Sequence, residues 1–83
     1  MNGLELTMIE WETLLNKPTL TFEYRNYKGN IRARKVEPDS VGYDVNTYHG
    51  NGKHLILYAF DIEKQANRSF AIKDINFSVE GFE

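Results

Sequence analysis

The sequence has no cysteine, only two prolines and no long apolar run, and each of these features excludes a class of protein. Without cysteine there is no disulfide framework, no thiolate nucleophile and no zinc site built on thiolates. No segment approaches the roughly 20 apolar residues that span a bilayer. The first residues are acidic and lack a basic region followed by an apolar one, so they do not form a signal peptide. We therefore expect a soluble, cytoplasmic protein that does not enter a membrane.

The length of 83 residues predicts one domain, residues 1–83, with no room for a second. A chain of this size buries only about 60–65% of the surface that it exposes when unfolded, so its core is small. Aromatic residues make up 13% of the sequence. This high share suits a small core that is filled by large rings.

The net charge of −2 argues against a general binder of polyanions, but the basic residues are unevenly placed. No acidic residue lies between Glu23 and Glu37, and five of the ten lysines and arginines do. A basic hairpin on a mildly acidic body can steer an anionic ligand to one place. The alternative is a hairpin whose charges are simply solvated. The five basic residues are Arg25, Lys28, Arg32, Arg34 and Lys35.

A short helix is predicted near the N-terminus. Thr7 and Glu10 have the spacing of a capping box, and Pro18 marks the end of the helical pattern. So short a helix is stable only when its apolar face docks on something, and we expect it to cover one end of a small β-barrel. The apolar face consists of Met8, Trp11, Leu14 and Leu15.

Alternating apolar and polar residues predict short strands over most of the remaining chain. The second strand has conflicting alternation, which predicts a bend or bulge within residues 31–36, and Pro38 is expected to end it. Turns recur at roughly 8–12-residue spacing, which is typical of a small antiparallel β-barrel of the Src-homology-3-like or Sm-like type. The predicted fold is mainly β, with five or six strands and a short N-terminal α-helix. The strands are residues 20–25, 31–36, 41–46, 54–60 and 68–72, with an edge strand or packed tail over 75–82.

No catalytic pattern is present. His49 and His54 flank a glycine turn without a nearby second carboxylate, which disfavours a metal site. The serines have no base at a diagnostic spacing, and no glycine-rich phosphate loop occurs. We therefore expect a protein that is not an enzyme and has no cofactor and no metal.

Two arginines lie in phase with apolar core positions. Arg34 shares a strand face with Val36, and Arg68 shares one with Phe70. Guanidinium groups beside tyrosine rings can hold a phosphate and stack a base. The alternative is that Arg68 pairs internally with Asp61 or Glu37 and that the tyrosines only pack. The predicted nucleic-acid-binding or ligand-binding residues are Tyr24, Arg32, Arg34, Tyr58 and Arg68.

Several short motifs, taken together, resemble the WYL domain of bacterial regulators, CRISPR accessory proteins and phage-associated proteins. The family's Trp-Tyr-Leu triplet falls on Leu55-Ile56-Leu57, so only its leucine is kept. The matching motifs are Phe22-Glu23-Tyr24 with the turn at Gly29, Arg34-Lys35-Val36-Glu37-Pro38, Leu57-Tyr58-Ala59-Phe60-Asp61, Arg68-Ser69-Phe70 and Asp74-Ile75.

The resemblance implies a small ligand-sensing or nucleic-acid-binding barrel in which Arg34 and Arg68 contact phosphate. WYL domains usually follow a DNA-binding helix-turn-helix. This chain is too short to hold one, so the resemblance implies a stand-alone regulatory module, as a phage or mobile element would encode. The alternative function is protein interaction, with a partner or with copies of itself, through exposed edge strands.

Overall fold

The computed structural model describes residues 1–45 and 52–77, which form one α-helix packed on an antiparallel sheet of five strands. The predictions for His49, Val79 and Phe82 concern residues outside this part. Within it, no helix has the length and apolar character needed to cross a membrane. The elements are a 3₁₀ turn (Gly3–Glu5), α1 (Met8–Leu15), β1 (Leu20–Arg25), β2 (Ile31–Val45), β3 (Lys53–Asp61), β4 (Ala66–Ala71), a second 3₁₀ turn (Ile72–Asp74) and β5 (Ile75–Asn76).

The sheet is open, so the prediction of a closed barrel is wrong, whereas the mainly β architecture with a helix near the N-terminus is confirmed. The strand order is β4-β3-β2-β1-β5, which leaves β4 and β5 at opposite edges. Closure requires these two edges to pair, but the outer side of β5 is already occupied. Asn2 forms a β-bridge with Asn76, and the Phe77 N–H donates to the Met1 carbonyl at 2.7 Å.

The sheet nevertheless curves strongly. β1 and β4 are separated by two strands, which in a flat sheet places them about 14 Å apart. The ring centroids of Tyr24 and Phe70 are only 5.0 Å apart, and those of Phe22 and Phe70 are 5.3 Å apart. Side-chain contacts, rather than a ladder of backbone hydrogen bonds, therefore connect β1 with β4 across the concave face.

The long strand β2 produces much of this curvature. Its first part pairs with β1 in unbroken register, from Val36 opposite Leu20 to Ile31 opposite Arg25. The register with β3 shifts between Pro38 and Ser40. The extra residue of the bulge is thus Asp39, directly after Pro38, and the bulge does not lie within residues 31–36 as predicted; the strand also continues through the proline. Since proline has no N–H, a bulge, where ladder bonds are interrupted, accommodates it without ending the strand.

Helix α1 begins at the predicted capping box. The Glu10 N–H donates to Thr7 Oγ1 at 3.2 Å, and the Thr7 N–H donates to Glu10 Oε1 at 3.0 Å. Trp11 and Leu14 are buried, but Met8 is 76% exposed, so the docked face is narrower than predicted. The apolar contact of α1 with the sheet therefore rests on Trp11 and Leu14, which lie three residues apart on one face of the helix.

Five aromatic rings form a continuous chain through the core. Successive edge-to-face contacts join Trp11 to Phe77, Phe77 to Phe22, Phe22 to Phe70 and Phe70 to Tyr24, with centroid distances of 5.9, 5.8, 5.3 and 5.0 Å. Such pairs contribute about 0.5–1.5 kcal/mol each beyond the area that they bury. We call these residues the aromatic chain; it runs from α1 to the far side of the concave face.

Candidate functional site

The aromatic chain ends at a cleft of about 740 Å³, here called the β4 cleft. Four of the five predicted site residues line it: Tyr24, Arg34, Tyr58 and Arg68. Arg32 does not line the cleft and is exposed on β2, opposite Tyr24. The remaining lining residues are Asn26, Tyr27, Asp44, Val45, Ile56, Ala66, Asn67, Ser69 and Phe70.

Arg68 is the exposed cation of this cleft. Its strand β4 places it opposite Ala59, on the same face as Phe70 opposite Leu57, so the predicted phase is confirmed. The side chain is exposed rather than interior, however. Within residues 1–45 and 52–77 it forms no ion pair, so the alternative pairing with Asp61 or Glu37 is not made. Its guanidinium group is therefore accessible to an anion from solution.

Arg34 forms the internal ion pair instead. Its side chain is 11% exposed, and its NH1 nitrogen lies 3.5 Å from Oδ2 of the fully buried Asp61. The other oxygen of Asp61 accepts from the Lys64 N–H at 3.2 Å. The Nε atom of Arg34 is buried without a hydrogen-bond partner. Arg34 thus supplies a cation whose charge is largely matched by Asp61 and whose donors are only partly used.

Tyr24 forms part of the floor of the cleft. Its side chain is buried and contacts Phe70 edge to face. Its hydroxyl oxygen accepts from the Ala71 N–H at 3.0 Å. Burial raises the pKa of this hydroxyl above 10.0, which outweighs the opposite effect of the Ala71 hydrogen bond. With its faces in the core, Tyr24 is a support for the site and offers little surface for stacking.

Tyr58 is half-buried and is the tyrosine of the predicted set that has exposed ring surface. The absence of a side chain at Gly42 on β2 leaves room for the Tyr58 ring. A Cβ atom at position 42 would come within 2.8 Å of Cε2 of the Tyr58 ring. Sequence reasoning did not include Gly42, although a glycine inside a strand is a signal for close approach.

The basic hairpin faces two ways. Arg32 and Arg34 lie opposite Tyr24 and Phe22, on the concave side, while the alternate residues Arg25 and Lys35 point to the other side. Asp44 also lines the cleft. The β4 cleft is therefore not the centre of a broad basic surface, and its positive charge is concentrated at two guanidinium groups.

The cleft runs along a sheet edge. Five consecutive residues of β4, from Ala66 to Phe70, line it. Consecutive residues of a strand point to opposite faces, so a cavity lined by all five must follow the backbone of β4. Sequence reasoning selected only Arg68 from this strand. Asn67 and Ser69 were missed because their side chains carry no distinctive chemical signal.

Comparison with protein-family models, with curated proteins and with solved structures finds no match to this chain. The WYL resemblance therefore stays a prediction, and the geometry of the cleft is the basis for a proposed function.

Proposed function

We propose that the β4 cleft binds a nucleotide or a short single-stranded segment of nucleic acid, and that the protein is a non-enzymatic regulatory module. The observation that carries this proposal is the exposed Arg68, which has no carboxylate partner among the described residues and lies in one cleft with Tyr58. Arg68 contacts a phosphate, and the exposed part of the Tyr58 ring stacks on a base. The motifs that resemble WYL domains support the same regulatory role, and a phage or mobile-element origin remains part of that hypothesis.

Charge limits how much nucleic acid the cleft can hold. Asp61 offsets the charge of Arg34, and Asp44 adds a carboxylate to the lining. Arg25 and Lys35 lie on the opposite side of the β1–β2 hairpin. A long strand needs a continuous series of phosphate contacts, whereas this cleft offers one accessible guanidinium and one partly used one. The ligand is accordingly one or a few nucleotides long.

The test is fluorescence anisotropy with labelled random pools of short single-stranded RNA and DNA at two salt concentrations. We expect binding that weakens with salt, because phosphate contacts release counterions. Arg68→Ala should lower the affinity by about tenfold, in the range of 1–3 kcal/mol typical of a charged contact.

Arg25→Ala is the matched control, since it removes the same charge from the other side of the hairpin, and it should change the affinity by less than about twofold. Absence of binding, a flat salt response or equal losses in the two variants would contradict the proposal.

A further inference from the structure

The direction of the backbone groups of β4 can be read from one hydrogen bond. The Ala71 N–H donates to the Tyr24 hydroxyl at 3.0 Å, so it points away from β3. In an antiparallel strand the N–H and C=O of one residue point to the same side, and successive residues alternate. The backbone N–H and C=O groups of Asn67 and Ser69 therefore also point away from β3, while those of Arg68 and Phe70 point toward it.

The turn before β4 supports the same alternation. The Ile62 N–H donates to the Lys35 carbonyl at 3.1 Å, toward β2. Asp61, one residue earlier, must then direct its own groups toward β4, where it pairs with Ala66. Because the backbone groups of every second residue point to the same side, those of Ala66, Arg68 and Phe70 all point toward β3. Two independent hydrogen bonds thus agree.

The consequence is a short free edge that opens into the cleft. Asn67 and Ser69 line the cleft, and no strand of the described part pairs with β4 on that side. Their outward N–H groups are about 7 Å apart, which is the two-residue repeat of any extended chain. At Ala71 the Tyr24 hydroxyl takes the position that an acceptor of a further strand would occupy, and this ends the free edge.

We propose that this edge accepts an extended segment of a partner protein as an additional strand, with an acidic side chain of the partner facing Arg68. The inference goes beyond nucleotide binding because it uses the backbone of Asn67 and Ser69. Main-chain hydrogen bonds provide the affinity of such strand addition, and alternate side chains provide its specificity. The exposed guanidinium of Arg68 selects a carboxylate by charge complementarity.

A second copy of this chain fits the edge poorly. Antiparallel self-pairing of Asn67 with Ser69 of the copy places Arg68 directly opposite Arg68, and like charges in that position are destabilising. A register centred on Ser69 needs the Ala71 N–H, which is already bonded to Tyr24. Head-to-tail pairing is also blocked, because the other sheet edge is bridged by Asn2. A register centred on Asn67 pairs Ser69 with Gln65, which lies outside β4 at a φ of 52° and does not continue the strand. The partner is therefore a different protein.

The test is NMR titration of the ¹⁵N-labelled protein with a capped heptapeptide, Thr-Val-Thr-Glu-Thr-Val-Thr, and with the same peptide carrying Lys in place of Glu. We expect the amide signals of Asn67 and Ser69 to shift with the Glu peptide, and the Lys peptide to bind about tenfold more weakly. Equal binding of both peptides, or shifts confined to other residues, would overturn the inference.

Ser69→Pro removes one outward N–H and leaves the bonds to β3 in place, because proline is tolerated where the N–H of an edge strand faces solvent. It should abolish peptide binding, while Ser69→Ala, which keeps the N–H, should bind like the wild type. Equal binding by both variants would contradict strand addition.

Hydrogen exchange of the unmodified protein tests the edge without any variant. The amides of Asn67 and Ser69 should exchange faster than those of Arg68 and Phe70, and the reverse order would overturn the inference. An oligonucleotide that binds through Arg68 while no peptide shifts the Asn67 and Ser69 amides would likewise overturn it, and would leave the proposed nucleotide function standing. Peptide binding without oligonucleotide binding would support strand addition and contradict the proposed nucleotide function.

Discussion

The two ends of the aromatic chain use the same device for different purposes. At one end the Trp11 indole N–H donates to the Gly3 carbonyl at 3.0 Å, and at the other the Tyr24 hydroxyl accepts from the Ala71 N–H at 3.0 Å. At the Trp11 end, Leu14 and Phe77 pack in the buried apolar core. At the other end, Tyr24 forms part of the floor of the β4 cleft. An aromatic ring anchored to the backbone can therefore either seal a core or support an open site, depending on what surrounds it.

The largest expected effect is a loss of stability at the Trp11 end of the aromatic chain, where the ring is sealed in the core. Trp11→Ala removes a buried ring and leaves a cavity that the short α1 helix cannot fill, so the free energy of unfolding should fall by about 3–5 kcal/mol. Urea denaturation measures this loss. Ile9→Ala is the control on the same helix, and because Ile9 is 75% exposed it should change stability by less than about 0.5 kcal/mol. Similar losses in the two variants would mean that α1 does not dock through Trp11.

Two glycines, one at each end, sharpen the comparison. In Gly3→Ala the new Cβ meets the Ile72 carbonyl oxygen at 2.6 Å, and because backbone cannot move aside easily, the loss of stability should be about 1–3 kcal/mol. In Gly42→Ala the new Cβ meets the end of the Tyr58 ring, which can rotate, and the loss should stay below about 1 kcal/mol.

Chemical denaturation compares the stabilities of the two glycine variants, and NMR of the Tyr58 ring should show that it moves only in Gly42→Ala. An unchanged ring signal in that variant would contradict the role of Gly42 in positioning the cleft wall.

Tyr24→Phe tests the other end of the aromatic chain, which opens into the β4 cleft. It leaves the buried Ala71 N–H without an acceptor and should cost about 1–3 kcal/mol. Because burial raises the pKa of Tyr24 in the folded state, the folded protein favours the neutral phenol. This contribution is fully present below pH about 10, the unfolded pKa, and is lost as the pH rises through the folded pKa.

Wild-type stability should therefore fall above pH about 10 more steeply than that of Tyr24→Phe. Denaturation midpoints across this range give the difference, since the other tyrosines titrate in both proteins. Parallel pH profiles would show that Tyr24 is not the group responsible.

The smallest effect on stability is expected for Arg68→Ala. The side chain is exposed and makes no ion pair within the described part, so the change in the free energy of unfolding should be below about 0.5 kcal/mol. Thermal or urea denaturation measures it. A clearly larger loss would mean that Arg68 supports the fold and is not free for a ligand.

Local pattern predicted the elements that depend on neighbouring residues. The capping box at Thr7 is confirmed, and the buried alternation of Leu20, Phe22 and Tyr24 on β1 is confirmed as well. The phase of Arg34 and Arg68 also placed both on the concave face, and both line the β4 cleft.

What pattern could not predict depends on long-range geometry. The alternation along a strand predicts on which face of the sheet a side chain lies, but it does not predict how exposed that side chain is. It therefore could not decide whether Arg34 or Arg68 pairs with Asp61. Arg34 lies on the central strand β2, beside Asp61 on β3, while Arg68 lies on the edge strand β4 and remains exposed. Barrel closure was predicted wrongly for the same kind of reason, because the bridge between Asn2 and Asn76 joins residues at opposite ends of the described chain.

The long bent strand β2 also has a consequence for how the protein folds. It pairs with its neighbours in sequence, β1 and β3, and β3 pairs in turn with β4, so these contacts form by closing short loops. The β5 pairing with Tyr24 must instead close a loop that contains most of the chain, which costs more entropy and slows its formation. We expect the β1–β4 meander to form first and β5 to dock last, so that the edge bearing the cleft exists before the opposite edge is complete.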